Sequence, residues 1–156
     1  MSEITVRRVT PEAAAMLAPM TVQRDACALL GPRIIRDHSS MIGDRRYVHV
    51  AGATMLAGMF GYHVREVSAD RLEIDGVGGF VATCEIVKDG QVVGRGSAIC
   101  MDDERMWASR PLYARRAMAS TRAAGRALRL LFGHLLPMLG DRVATVTREE
   151  MPDDCE

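Results

Sequence analysis

Several things are scarce in this sequence, and each scarcity removes a class of function. Aromatic residues make up 4% of the 156 residues: one Trp, three Tyr and three Phe. That limits how much base stacking the chain can supply, because stacking platforms set an aromatic ring under successive bases. The cysteines, Cys27, Cys84, Cys100 and Cys155, stand far apart with no Cys-x-x-Cys, and the histidines are equally scattered. No zinc-ligand spacing results, and free, mostly buried thiols in a reducing cytoplasm are expected. The opening residues lack the apolar segment of a signal peptide, and no run approaches the roughly 18 apolar residues of a membrane span. No membrane partner is expected. Gly-x-Ser-x-Gly, a Walker loop and His-Glu-x-x-His are all missing. No nucleophile or proton carrier has visible support, so neither enzyme activity nor a cofactor is expected.

Lysine is also scarce. Lys88 is the only one, so nineteen of the twenty Lys and Arg residues are arginine, and the net charge is zero. The charge is unevenly placed. From Arg105 to Gly140 there are seven arginines and no acid, whereas Glu149, Glu150, Asp153, Asp154 and Glu156 crowd the other end. Residues 111–135 read as the strongest helix of the chain. At about 100° per residue, Arg115, Arg122, Arg126 and Arg129 fall within an arc of roughly 60°. Ala117, Met118, Thr121, Ala124, Leu128, Leu131, Phe132 and Leu135 fall on a wider apolar arc. A solvated helix face normally mixes charge signs; here nothing nearby in sequence relieves repulsion among Arg122, Arg126 and Arg129. A polyanion would, and so would acids from elsewhere in the fold or from a neighbouring subunit. An arginine fork suits bidentate phosphate contacts.

In chain order, residues 3–9 suggest a short strand or a disordered arm. Thr10-Pro11-Glu12 is a helix start, Pro19 a kink, and Gly31-Pro32 a stop. Between them Val22, Ala26, Leu29 and Leu30 share a face. Residues 33–50 read as two short strands about Gly43-Asp44, with Ile34 and Ile35 in the first. Ala51–Phe60 is a short amphipathic helix closed by Gly61. Strands follow at 62–67, 79–87 and 91–101, the last two joined by Asp89-Gly90, a tight-turn signal. Gly94 and Gly96 predict a bulge or a close backbone approach. The acids at 102–104 read as a solvated corner, and Trp107 as a packing anchor more readily than a stacking platform. Gly133 and Pro137 break the long helix. The sum is an α+β domain: an antiparallel β-meander with a β-β-β-α core packed against a long C-terminal helix, preceded by a short helical N-terminal segment. The divisions expected are an N-terminal segment at 1–20, partly disordered, a domain at 21–140, and an acidic tail at 141–156 that is loose from Glu149 onward.

Over roughly residues 21–133 the chain resembles the DNA-binding domain of the Rad-fifty-two superfamily of single-strand annealing proteins, which includes eukaryotic recombination mediators and phage recombinases. The resemblance rests on Leu30-Gly31-Pro32, Tyr47, Leu56-Ala57, Met59-Phe60-Gly61-Tyr62, Lys88-Asp89-Gly90, Gly94-Arg95-Gly96, and Tyr113-Ala114-Arg115 through Arg126-Ala127-Leu128-Arg129 to Phe132-Gly133. It implies rings or filaments that hold single-stranded DNA in a basic groove and anneal complementary strands without ATP, in recombination or repair. By position, Arg126 and Arg129 would contact phosphates, with Arg122 and Arg115 in support. Tyr47 would line the groove, and His38 falls near a groove arginine. The family often has Lys-Arg where this chain has Gly125-Arg126. A recombinase or a single-strand-binding protein would be a further partner, and the location cytoplasmic, or nucleoid-associated in a bacterial or phage setting.

Two other readings remain open at this point. A helix, a meander and a basic helix also outline a double-stranded RNA-binding domain, although the insertion at 33–60 is unusual for one. The arginines could instead belong to a structural oligomer, paired with Asp102, Asp103 and Glu104 of the next subunit.

Overall fold

The first helix of the computed structural model, which describes residues 11–151, is α1 (Pro11–Asp37). Proline at its first position and Glu12 in its first turn suit a helix start. The Thr10 cap and the element expected at 3–9 lie outside the described residues. The stop expected at Gly31-Pro32 is overturned, because α1 continues through Pro19 and Pro32. An interior proline costs about 3 kcal/mol. Ile34, fully buried one half-turn later, contributes a comparable amount, roughly 1.5–3 kcal/mol. Gly31 is a contact point instead of a cap: a Cβ there would meet the Leu139 carbonyl oxygen at 3.0 Å. The buried face also differs from expectation. Ala26, Cys27 and Ile34 are buried, while Val22 and Leu29 are exposed.

A hairpin follows, β1 (Ser39–Ile42) and β2 (Arg45–Val48), turning at Gly43-Asp44 as expected. Ile34 and Ile35, expected in its first strand, belong to α1. Next comes α2 (Val50–Met59). The meander is β3 (His63–Ile74), β4 (Val77–Lys88) and β5 (Gln91–Met101), antiparallel throughout. Both of its turns put an Asp-Gly pair at positive φ: 51° and 80° at Asp75-Gly76, 49° and 76° at Asp89-Gly90. That is the geometry whose twist matches the flanking strands.

The long helix, α3 (Leu112–Phe132), packs against β4 and β5 on one side and against α2 on another. The chain is therefore the expected α+β domain, with a C-terminal helix on an antiparallel sheet. The contact with the sheet is close because both surfaces are small. Ala119, Ala123 and Ala127 of α3 are fully buried. A Cβ on Gly96 of β5 would lie 2.5 Å from the Ala127 amide nitrogen and 2.8 Å from the Ala123 carbonyl oxygen. Gly96 is thus the close approach anticipated for this strand, and the register shift opposite Ile86 and Val87, which skips Val93 of β5 next to Gly94, is a bulge.

Beyond α3, a 3-10 turn at Leu136–Leu139 leads into β6 (Val143–Thr147), which pairs in parallel with β2 and completes a second sheet ordered β1-β2-β6. The sequence reading gives 141–156 as an acidic tail with no strand in it; residues 143–147 form one. Thr147 is fully buried, and its hydroxyl with the Glu150 carboxylate forms a capping box at the short 3-10 helix Arg148–Glu150. The Thr-x-x-Glu spacing is the usual signature of that box.

Cys27, Cys84 and Cys100 are buried, and Cys155 lies outside the described residues. Burial holds the Cys27 and Cys84 thiols above their ordinary pKa. Among the described residues no His, Cys, Asp and Glu side chains gather as a metal site. No described helix is long and apolar enough to cross a membrane.

Candidate nucleic-acid interface

The arginines of α3 differ sharply in what holds them. Arg115 is 13% exposed, with its Nη1 2.9 Å from Asp102 Oδ1. Arg122 is 14% exposed and more heavily engaged. Its guanidinium meets both Glu104 oxygens at 2.7 and 2.9 Å, and donates to the Ile99 carbonyl at 3.1 Å and the Glu149 carbonyl at 3.2 Å. Arg129 reaches Glu150 Oε2 at 3.3 Å. Arg126 is exposed and pairs with no carboxylate among the described residues; its Nη1 donates to the Ser97 carbonyl at 3.1 Å.

The charge repulsion along the rail is thus offset within the chain, by Asp102 and Glu104 of the corner after β5 and by Glu150 after β6. The corner expected to be solvated holds two of the helix's arginines. Two of the rail's hydrogen bonds go to the backbone carbonyls of Ser97 and Ile99 on β5, an edge strand of the meander. Arginines placed there cover polar groups that would otherwise invite a further strand.

The paired acids respond as expected. Hydrogen bonding from Arg71, and the charges of Arg115 and Arg71, outweigh desolvation and hold Asp102 below the usual carboxylate range. Burial pushes Glu104 up, but hydrogen bonds from Arg122 and from the Met101 amide more than reverse this. Folded-state pKa values that are lowered contribute stability above the unfolded values, near 4, and that stability is lost as pH falls through the folded ones. Urea midpoints are therefore expected to fall steadily below about pH 4. In Glu104→Gln the loss over that window should be visibly shallower.

Arg122, Arg126 and Arg129 come together around one open cleft of about 260 Å³, closed on its other sides by Ala98, Ile99 and Glu150. Among the residues expected to form the site, these three share it. Arg115 lies on the same helix but is committed to Asp102. Tyr47 is 8% exposed within the core. His38 is half-buried at the end of α1, its carbonyl accepting the His49 amide. Neither Tyr47 nor His38 lines the cleft. Gly125, where the family often carries a second cation, is buried against β6 and the start of α2, and a Cβ there would meet Thr147 Oγ1 at 2.5 Å. The residues that sequence reasoning missed at this site are Glu149 and Glu150, masked by being read as tail. The Thr147–Glu150 spacing was their signal.

Glu150 is the natural competitor for Arg129. Glu150→Gln removes the charge but keeps an oxygen for Thr147. Anion affinity at the cleft is expected to rise roughly two- to fivefold, the range of a partly exposed ion pair, measured by fluorescence anisotropy with a labelled oligonucleotide. No family model, curated protein or solved structure matches the chain.

Proposed function

We propose that the chain binds single-stranded DNA through the α3–β5 cleft and anneals complementary strands without ATP, as a homo-oligomer acting in recombination or repair. One observation carries the reading. Arg126 stands exposed, with no carboxylate partner among the described residues, between Arg122 and Arg129 at an open cleft. Guanidinium groups in that arrangement suit successive phosphates. The resemblance of residues 21–133 to single-strand annealing proteins supports the same assignment.

The mechanism is physical and needs no bond-making. Phosphates displace condensed counterions on meeting the arginines, so affinity falls as salt rises. A strand held by its backbone keeps its bases unpaired. An oligomer carrying such strands lets a second strand test its register by pairing. Cytoplasmic or nucleoid location, and contact with a recombinase or a single-strand-binding protein, belong to this reading.

A structural role has its own support, in that Arg115 and Arg122 are each engaged by acids and carbonyls of the same chain. Those contacts remove the need for a neighbouring subunit's acids. They leave Arg126 as the residue that separates the two readings. The test is binding of single-stranded DNA, duplex DNA and duplex RNA across a salt series. Preference for the single strand with a steep salt slope is expected. Preference for duplex RNA would favour an A-form reader, and no binding would favour the structural role.

A further inference from the structure

Arg122 borders a second cavity of about 190 Å³ on the side away from Arg126. Its walls are Met106 and Trp107 from the corner after β5, Met118 from α3, and Met151 from the last described turn. Arg110 and Arg148 stand at the same cavity. Among the described residues the acid there is Glu149, whose carboxylate lies 3.0 Å from the Val50 amide and so is directed at the α2 start. Trp107 is partly buried against the core. Its position is fixed by the backbone, its amide donating to the Glu104 carbonyl at 2.8 Å and its carbonyl accepting the Arg110 amide at 2.9 Å. The Trp107 backbone is therefore held by the same corner that holds Arg122.

An apolar wall with one aromatic ring, beside the exposed Arg110, suits a flat, weakly polar group attached to an anionic backbone. Thioether sulfurs pack well against aromatic rings and adapt to their shape, and a nucleobase stacks on an indole. We infer that this cavity receives one base of the strand whose phosphates occupy the neighbouring cleft, stacked on Trp107 between Met106 and Met118. The inference rests on the proposed reading of the cleft and deepens it. Backbone contacts at Arg126 and Arg129 set position, and the cavity removes one base from its neighbours. Scarce aromatics are then no obstacle, because a single platform suffices.

Trp107 is the only tryptophan in the chain, so its fluorescence reports on this cavity alone. The experiment titrates the full chain with an oligothymidylate, an abasic deoxyribose-phosphate oligomer of equal length, and inorganic polyphosphate. Binding is followed in parallel by competition against a labelled oligonucleotide. All three ligands are expected to compete in a salt-dependent way, and only the base-bearing one to quench Trp107, with the midpoint seen in competition. Trp107→Phe should retain affinity for the oligothymidylate. Trp107→Leu should lose roughly fivefold or more while binding the abasic oligomer unchanged. Competition by all three ligands with unchanged fluorescence would overturn the cavity and leave the cleft standing. Equal quenching by polyphosphate, or fluorescence that follows protein concentration in place of ligand, would also overturn it. The latter outcome would mark the cavity as a contact between copies. No competition by any ligand would overturn both assignments.

Discussion

Arg126→Ala is expected to weaken single-strand binding about tenfold, or about 1.4 kcal/mol, and to flatten the logarithmic salt slope by about 0.7, the contribution of one phosphate on a single strand. The fold should hardly notice. Arg126 is exposed, it meets no carboxylate among the described residues, and its hydrogen bond goes to the solvent-accessible edge of β5. Arg122 and Arg115 cannot serve as so clean a probe. Removing Arg122 takes from Glu104 the guanidinium that lowers its pKa, and removing Arg115 takes from Asp102 one of its two arginine partners. Affinity and slope that stay at the wild-type values in folded Arg126→Ala would remove the cleft from the binding path.

Gly125→Lys is expected to destabilise the fold by about 3 kcal/mol, combining overpacking with a charge placed in the interior. It should give no gain in affinity. The resemblance makes lysine attractive here, as a way to restore the cation that the family often carries. The packing forbids it. A Cβ on Gly125 would meet Thr147 Oγ1 at 2.5 Å and the Val50 Cγ2 at 3.0 Å. In this chain that flank of α3 rests on β6 and on the start of α2, so glycine is what lets the second sheet close against the helix. Urea unfolding of the variant measures the cost. A variant as stable as wild type, binding DNA more tightly, would show that the flank opens.

Local chemistry made much of the fold readable. Asp89-Gly90 specifies a two-residue turn because both positions must adopt positive φ, and Gly96 announces a close approach because nothing larger fits beside Ala127. The errors arise where a long-range contact outweighs a local signal. Gly31-Pro32 looks like a helix end, yet burial of Ile34 carries α1 onward. The helical wheel finds the arginine rail but misplaces part of the apolar face. Alanines 119, 123 and 127 look neutral on a wheel, yet all three are fully buried, and Ala123 and Ala127 lie directly beside Gly96 of β5. The second sheet is the largest omission. β6 pairs with β2 across almost a hundred residues, a partner that no sequence window reveals. Missing it also hid the acids that hold the rail. Glu104 and Glu150 reach Arg122 and Arg129 only once the corner and β6 are folded. The site legible in the sequence was therefore a stripe of like charge. In the fold it becomes two tethered arginines flanking an exposed one.

Annealing of labelled complementary oligonucleotides, without nucleotide, by wild type and Arg126→Ala side by side tests the proposed function at its decisive step. Acceleration over the spontaneous rate is expected from wild type, diminished in Arg126→Ala and suppressed by added salt. A wild-type rate equal to the spontaneous one, at protein concentrations that saturate single-strand binding, would contradict it.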